Sequence, residues 1–232
     1  MVSSGSPDGQ ALILSSSPVH RLLLRGNIPG STRPAVFLDR DGVVNVDRGY
    51  VHRARDFEFM PAALTACRQL ACAGFALVVV TNQAGIARGR YGIEDFRQLS
   101  EWMAARFAEA GAPLSGIYFC PHHPRGSIPE LSERCSCRKP EPGMILTAAE
   151  DLRLDLARSA LVGDKWSDIV AGRRAGVGSC LLLRAPVGSA ELAQDLAAAV
   201  TVVADQEVTG LADAAEYLLG MRVGEMEAGA KS

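Results

Sequence analysis

Nowhere do the 232 residues contain the roughly 20 consecutive apolar positions that span a bilayer. The N-terminal run Ala11-Leu12-Ile13-Leu14 is also too short for the core of a secretion signal. A cytoplasmic protein that makes no membrane contact is the expectation. An excess of positive charge is equally lacking. Lys plus Arg number 24 against 26 Asp plus Glu, a formal net charge of −2, so no global basic field gathers nucleic acid or anionic lipid. Aromatic residues are few, at 6%, beside 48% hydrophobic and 22% charged residues, the balance of an ordinary soluble globular chain. A chain of this length buries about 70% of its unfolded surface, so it needs neither disulfides nor a metal merely to fold. Any metal site therefore needs a local reason. Of the six cysteines, three crowd into residues 120–137 with a histidine among them, which points to metal ligation in a reducing compartment. Cys67, Cys72 and Cys180 read as small core residues.

Residues 1–33 are rich in Ser, Gly and Pro, and their apolar residues fit neither helical nor strand spacing, so a flexible N-terminal extension is expected there. Residues 221–232 are expected to form a flexible tail, leaving one domain over 34–220. Within it, continuous apolar runs predict strands buried on both faces at 35–38, 75–80, 117–119, 160–162, 180–183 and 200–203. Helical patterns alternate with them. Leu64, Cys67, Leu70 and Ala71 follow Pro61 and stop at Gly74; Phe96, Leu99, Met103 and Phe107 stop at Gly111; Ile145, Ala148, Ala149 and Leu152 follow Pro142. This order predicts a parallel sheet between helical layers, with the ligand crevice beyond the carboxyl ends of the strands.

The chemistry-bearing residues fall at those ends. Asp39 and Asp41 in Phe37-Leu38-Asp39-Arg40-Asp41-Gly42 put two carboxylates at a strand tip, an expensive place for negative charge unless a cation neutralises it. Thr81-Asn82-Gln83 ends a second run, Lys139 precedes a Pro-initiated helix, and Gly163-Asp164-Lys165-Trp166-Ser167-Asp168 follows another strand. Together they offer two carboxylates, a phosphate-binding hydroxyl, a lysine and a further acid for a metal, the set that phosphoryl transfer requires.

These four segments resemble motifs I to IV of the haloacid dehalogenase (HAD) superfamily of phosphohydrolases. The resemblance implies a HAD-like Rossmannoid three-layer α/β fold with a parallel central sheet. It also implies that Asp39 is the nucleophile, that Asp41 is the general acid and base, and that Thr81 and Lys139 stabilise the phosphoryl group. Mg²⁺ would be held by Asp39, the Asp41 carbonyl and Asp164, with Asp168 orienting the site from outside the ligand set. Only about 30 residues separate Asp41 from Ala71, so no large cap domain is expected.

Cys120-Pro-His122-His123 and Cys135-Ser-Cys137 form a C-x-H-x12-C-x-C pattern suited to a closed, structural Zn²⁺ site. His123 is an alternative to His122 as the fourth ligand, though the C-x-H spacing favours His122. Such a loop resembles that of the heptose bisphosphate phosphatases and of the histidinol-phosphate phosphatases. The segments 45–52 and 81–89 are similar to the heptose pattern (NxDxGYVH and TNQxGIARG), with alanine at 84 where serine is common. That likeness implies a monomeric Mg-dependent phosphatase of lipopolysaccharide-related sugar metabolism acting on a small sugar bisphosphate. The implied substrate contacts are Asp47, Arg48, Gly49, Tyr50, Thr81, Asn82, Gln83, Ala84, Arg138, Lys139 and Lys165. A histidinol-phosphate phosphatase is the alternative enzyme. A zinc-binding adaptor is the non-enzymatic one, and it would have no need of both Asp39 and Asp41.

Overall fold

A computed structural model describes residues 12–13, 19–24, 31–184 and 203–229. The elements run β1 (Leu12–Ile13), β2 (His20–Leu23), β3 (Ala35–Leu38), α1 (Ala63–Cys72), β4 (Ala76–Asn82), α2 (Ala84–Ala87), α3 (Ile93–Glu109), β5 (Leu114–Cys120), α4 (Gly143–Leu152), β6 (Ala160–Gly163), α5 (Trp166–Ala175), β7 (Ser179–Leu183), β8 (Gln206–Val208) and α6 (Leu211–Gly229). The strands form one sheet in the order β1-β2-β5-β4-β3-β6-β7-β8. Pairs from β5 across to β8 are parallel, while β1–β2 and β2–β5 are antiparallel.

Successive side chains on a strand point to opposite faces, and the core sorts accordingly. Val36, Leu38, Leu77 and Val79 join α1, α3 and α6 in one apolar cluster. Ala35, Phe37, Ala76, Val78 and Val80 join α4 and α5 in the other. Continuous apolar runs are thus the signature of strands covered on both sides. In α1, Ala63, Ala66, Cys67 and Leu70 recur at helical spacing and are all buried. Leu70→Ala would leave a cavity beneath that helix, at a loss of about 2–5 kcal/mol.

Four expectations are corrected. The first helix starts at Ala63 and not at Pro61, because Ala62 takes a left-handed conformation (φ 58°) and closes a turn. Among the described residues the last strand is 206–208, with Val208 4% exposed; of the strand expected at 200–203, Val203 is 68% exposed and outside it, and residues 200–202 lie outside the described residues. The extension expected over 1–33 contains paired strand at 12–13 and 20–23, with Leu22 fully in the core; residues 1–11, 14–18 and 25–30 lie outside the described residues. The tail expected over 221–232 is helical to Gly229, as a continuation of α6; residues 230–232 lie outside the described residues.

From β3 the chain builds β4 and β5 on one side, then crosses to β6 on the other. The carboxyl ends of β3, β4 and β6 therefore face one crevice at the point where the order reverses.

Candidate active site

Asp39 follows the last residue of β3, its N–H donating to the Val162 carbonyl of β6 at 3.0 Å. Lys139 reaches it from the loop before α4. Its Nζ lies 2.9 Å from Asp39 Oδ1, 2.6 Å from Asp168 Oδ1 and 2.8 Å from the Val80 carbonyl, so all three ammonium protons have acceptors. Burial by itself would pull the lysine pKa down, but Asp168 and Asp39 outweigh it and hold the group as a cation. The Asp39 carboxyl is pushed above its ordinary range by burial and by neighbouring Asp168, against the pull of Lys139. Asn82 fixes the lysine backbone from both sides. Its Nδ2 donates to the Lys139 carbonyl (3.0 Å) and its Oδ1 accepts the Lys139 N–H (3.1 Å). Asp168 Oδ2 accepts the Lys165 N–H at 3.0 Å, so both its oxygens are spent on orienting neighbours.

Asp41 is gripped by a residue that sequence reasoning did not single out. Arg40, 1% exposed, donates through Nη2 to Asp41 Oδ1 (2.9 Å) and Oδ2 (2.8 Å), and also to the Val51 carbonyl (2.7 Å). Asn45 Nδ2 and Gln83 Nε2 add bonds of 3.1 Å each to the same carboxylate. Burial works to raise the Asp41 pKa, but Arg40 and these hydrogen bonds overcome it and the net shift is downward. Gln83 Nε2 also donates to Thr81 Oγ1 at 2.8 Å, while its Oε1 accepts from Tyr91. The Thr81 hydroxyl proton is thereby free to point at a ligand. The available signal for Arg40 was its place between two acids at a buried strand tip.

Asp164 follows β6, and its Oδ1 is buried with no hydrogen-bond partner. Burial and the charge of Asp39 raise its pKa to about 7. Oxygens of Asp39, Asp164 and Asp168 come within 4.8 Å of one another. Three carboxylates face the buried ammonium of Lys139 and, at the rim, that of Lys165, which leaves an excess of negative charge for a cation to compensate. Gly42 opens the space: with φ +91°, a Cβ there would lie 2.3 Å from Asp164 Oδ2. The orphaned oxygen, the hard oxygen donors and this cradle fit Mg²⁺.

Asp39, Asp41, Thr81, Gln83, Lys139 and Asp168 line a cleft of about 200 Å³ together with Asp47, Gly49, Tyr50, Asn82, Ala84, Gly85, Tyr91, Lys165 and Ser167. Of the expected contacts, Arg48 and Arg138 are absent from its wall. Arg48 is engaged by exposed Glu58, and Arg138 Nη1 donates to the His122 carbonyl at 3.2 Å. Lys165 Nζ stands 3.6 Å from Asp164 Oδ2 and 3.7 Å from Asp47 Oδ2, bridging the two rims.

Close to the cleft, Cys120, His122, Cys135 and Cys137 converge. Sγ–Sγ distances are 3.5 Å (120–135) and 3.2 Å (137–135), and His122 Nδ1 lies 3.7 Å from Cys120 and 3.5 Å from Cys137. Donors about 2.0–2.3 Å from a shared tetrahedral centre stand roughly 3.3–3.8 Å apart, and the observed 3.2–3.7 Å lies within or just under that spacing, as suits Zn²⁺. The ring nitrogens of His123 face the Arg125 N–H and the Arg88 guanidinium instead, which removes it as the alternative donor.

A HAD-hydrolase-like family model matches residues 136–208. A D-glycero-beta-D-manno-heptose-1,7-bisphosphate 7-phosphatase of Yersinia pestis is 55% identical over 151 residues, 65% of this chain and 80% of that one. One from Vibrio cholerae is 46% identical over 190 residues, 82% of this chain and 98% of its own. Among solved structures, a D,D-heptose 1,7-bisphosphate phosphatase from B. bronchiseptica, complexed with magnesium and phosphate, matches with a TM-score of 0.68 and 31% identity, covering 81% of this chain and 99% of that one.

Proposed function

Since the chain belongs to the D-glycero-beta-D-manno-heptose-1,7-bisphosphate 7-phosphatase family of HAD-like hydrolases, we propose that it removes the C7 phosphate of heptose 1,7-bisphosphate by way of an aspartyl-phosphate. The products are heptose 1-phosphate, the form suited to later nucleotide activation for lipopolysaccharide, and inorganic phosphate. The observation that carries this reading is the meeting of Asp39, Thr81 and Lys139 in one cleft, with a carboxylate oxygen of Asp164 close to that of Asp39.

Asp39 spends Oδ1 on Lys139, leaving Oδ2 to attack phosphorus in line. The P–O7 bond breaks as the new P–O bond forms, and Asp41 delivers a proton to the departing sugar oxygen. Water then attacks the phosphoryl group, Asp41 takes its proton, and Asp39 is released. As held by Arg40, the Asp41 carboxylate is ionised, the form needed for the water step. Protonating the sugar oxygen requires it to loosen from Arg40, turn into the cleft and take up a proton from solvent, or keep the one gained from water in the preceding turnover. Thr81 donates its hydroxyl proton to a phosphoryl oxygen, and the Lys139 charge opposes the growing negative charge from the other side. Mg²⁺ bound by Asp39, the Asp41 carbonyl and Asp164 would supply the remaining charge cancellation that lets a carboxylate approach a phosphate dianion.

Asp47, Gly49, Tyr50, Gln83, Ala84 and Lys165 line the sugar's path, with Asn82 acting through Lys139. Arg48 and Arg138 reach substrate only by exchanging their present partners. Zn²⁺ held by Cys120, His122, Cys135 and Cys137 would leave no open coordination position, so its role is structural, fixing the loop that continues into Arg138 and Lys139. The enzyme works as a cytoplasmic monomer on a small soluble substrate; among the described residues no helix is long and apolar enough to cross a membrane. Phosphorus NMR on the α and β anomers of heptose 1,7-bisphosphate, with histidinol phosphate alongside, tests the reading. Loss of the C7 ester with the C1 ester intact is expected; preferential cleavage of C1 or of histidinol phosphate would overturn it.

A further inference from the structure

Strand β2 lies outside the catalytic machinery yet ends against it. It pairs antiparallel with β5 so that His20 sits opposite Phe119, one residue before Cys120. The His20 ring centroid lies 5.3 Å from that of Phe119 and 5.6 Å from that of His122, at 57° to the latter ring. We propose that His20 is a positioning residue for His122, making β2 a clamp on the zinc loop that leads to Arg138 and Lys139. This rests on the zinc reading above.

The strand is anchored firmly enough to serve. Val19 and Leu22 are 2% and 1% exposed and enter opposite apolar layers. Arg21 Nε lies 3.2 Å from Asp151 Oδ2, the oxygen that also accepts the Tyr118 hydroxyl at 3.0 Å. His20 is thus held between two fixed neighbours. On the receiving side, His122 is 7% exposed, its Nδ1 faces Cys120 and Cys137, and its carbonyl accepts from Arg138. An imidazole can swing about its Cβ–Cγ bond, and a ring packed beside it restricts that swing, keeping Nδ1 on the thiols. Groups that orient a metal-bound histidine matter for retention of the metal even though they never touch it. Through the His122 carbonyl the same restraint reaches the Arg138 side chain.

The competing explanation is that β2 merely covers the edge of β5. Variants at residue 20 leave the backbone pairing in place and separate the two. Zinc transfer from the full chain to a chromogenic chelator is timed for the unmodified protein, His20→Ala and His20→Phe, alongside KM and kcat for the bisphosphate. His20→Ala should release zinc about tenfold faster, the low end for lost support of a metal-bound histidine. Its KM should rise while kcat stays within roughly twofold. His20→Phe, which keeps a ring in place, should restore both. His20→Gln, bulky but without a ring, should behave as His20→Ala and replaces it should that variant not fold. Equal release rates for the unmodified chain and the ringless variants overturn the inference, as does His20→Phe releasing as fast as they do. Unmodified protein that carries no zinc overturns the zinc reading itself, and this inference with it.

Discussion

Lys139 Nζ lies 2.9 Å from Asp39 Oδ1, and both groups are largely buried, at 4% and 6% exposure, at the floor of the cleft. Lys139→Met would leave Asp39 and Asp168 facing each other with no cation between them. Removing one partner of a buried ion pair costs about 3–5 kcal/mol. The urea midpoint should fall accordingly, and turnover should drop by at least about 10²-fold as the compensating charge is lost. A variant with unchanged midpoint and activity would show that the lysine is not what holds the nucleophile.

Gly42→Ala probes the metal cradle without removing a charged group. The added methyl would sit 2.3 Å from Asp164 Oδ2, on a backbone at φ +91°, so Asp164 has to move. The magnesium concentration for half-maximal activity should rise roughly tenfold or more, as for disturbed metal sites in general. A magnesium titration that overlays the unmodified enzyme would place the cation elsewhere.

Much of this site was legible in the chain itself. The apolar runs ending in Asp39, Thr81 and Asp164 are strands buried on both faces, and a buried strand has to read as a continuous apolar segment. What stayed hidden depends on contacts between distant segments. Arg40 reads as one charge among many until the fold brings Asp41 and the Val51 carbonyl onto its guanidinium. Asn82 and Gln83 read as ligand-binding amides, yet their side chains are consumed in holding Lys139, Asp41 and Thr81. Strand β2 escaped notice because its alternation, with Val19 and Leu22 going to opposite layers, is too short to stand out from a Ser- and Pro-rich neighbourhood. Of the expected strand at 200–203 only Val203 lies among the described residues, exposed and three residues before β8.

Cys135→Ser removes one of the four donors around the proposed zinc. Metal analysis of the purified variant should give well under one zinc per chain, with the 120–137 loop exchanging amide protons faster and KM raised. Full zinc occupancy in this variant would mean that Cys135 is not a ligand.

The remaining cysteines test the core. Burial pushes the Cys67 thiol up to about 12, so at pH 8 it stays protonated and unreactive, and it gains thiolate character only as pH climbs toward that value. Cys72, expected from the sequence to be a core residue, is instead exposed, because it ends α1 on the side away from the buried Ala63, Ala66, Cys67 and Leu70. Iodoacetamide at pH 8, read by peptide mass spectrometry, should label Cys72 and spare Cys67. Equal labelling would place α1 differently on the sheet.

In the proposed mechanism every step passes through Asp39 as the group that takes the phosphoryl. Phosphate release from heptose 1,7-bisphosphate by Asp39→Asn, in saturating magnesium, measures this most directly. An amide of nearly the same shape keeps the fold but cannot form the acyl phosphate. Turnover should fall by at least about 10³-fold with the melting curve still cooperative. A folded Asp39→Asn enzyme releasing phosphate within tenfold of the unmodified rate would contradict it.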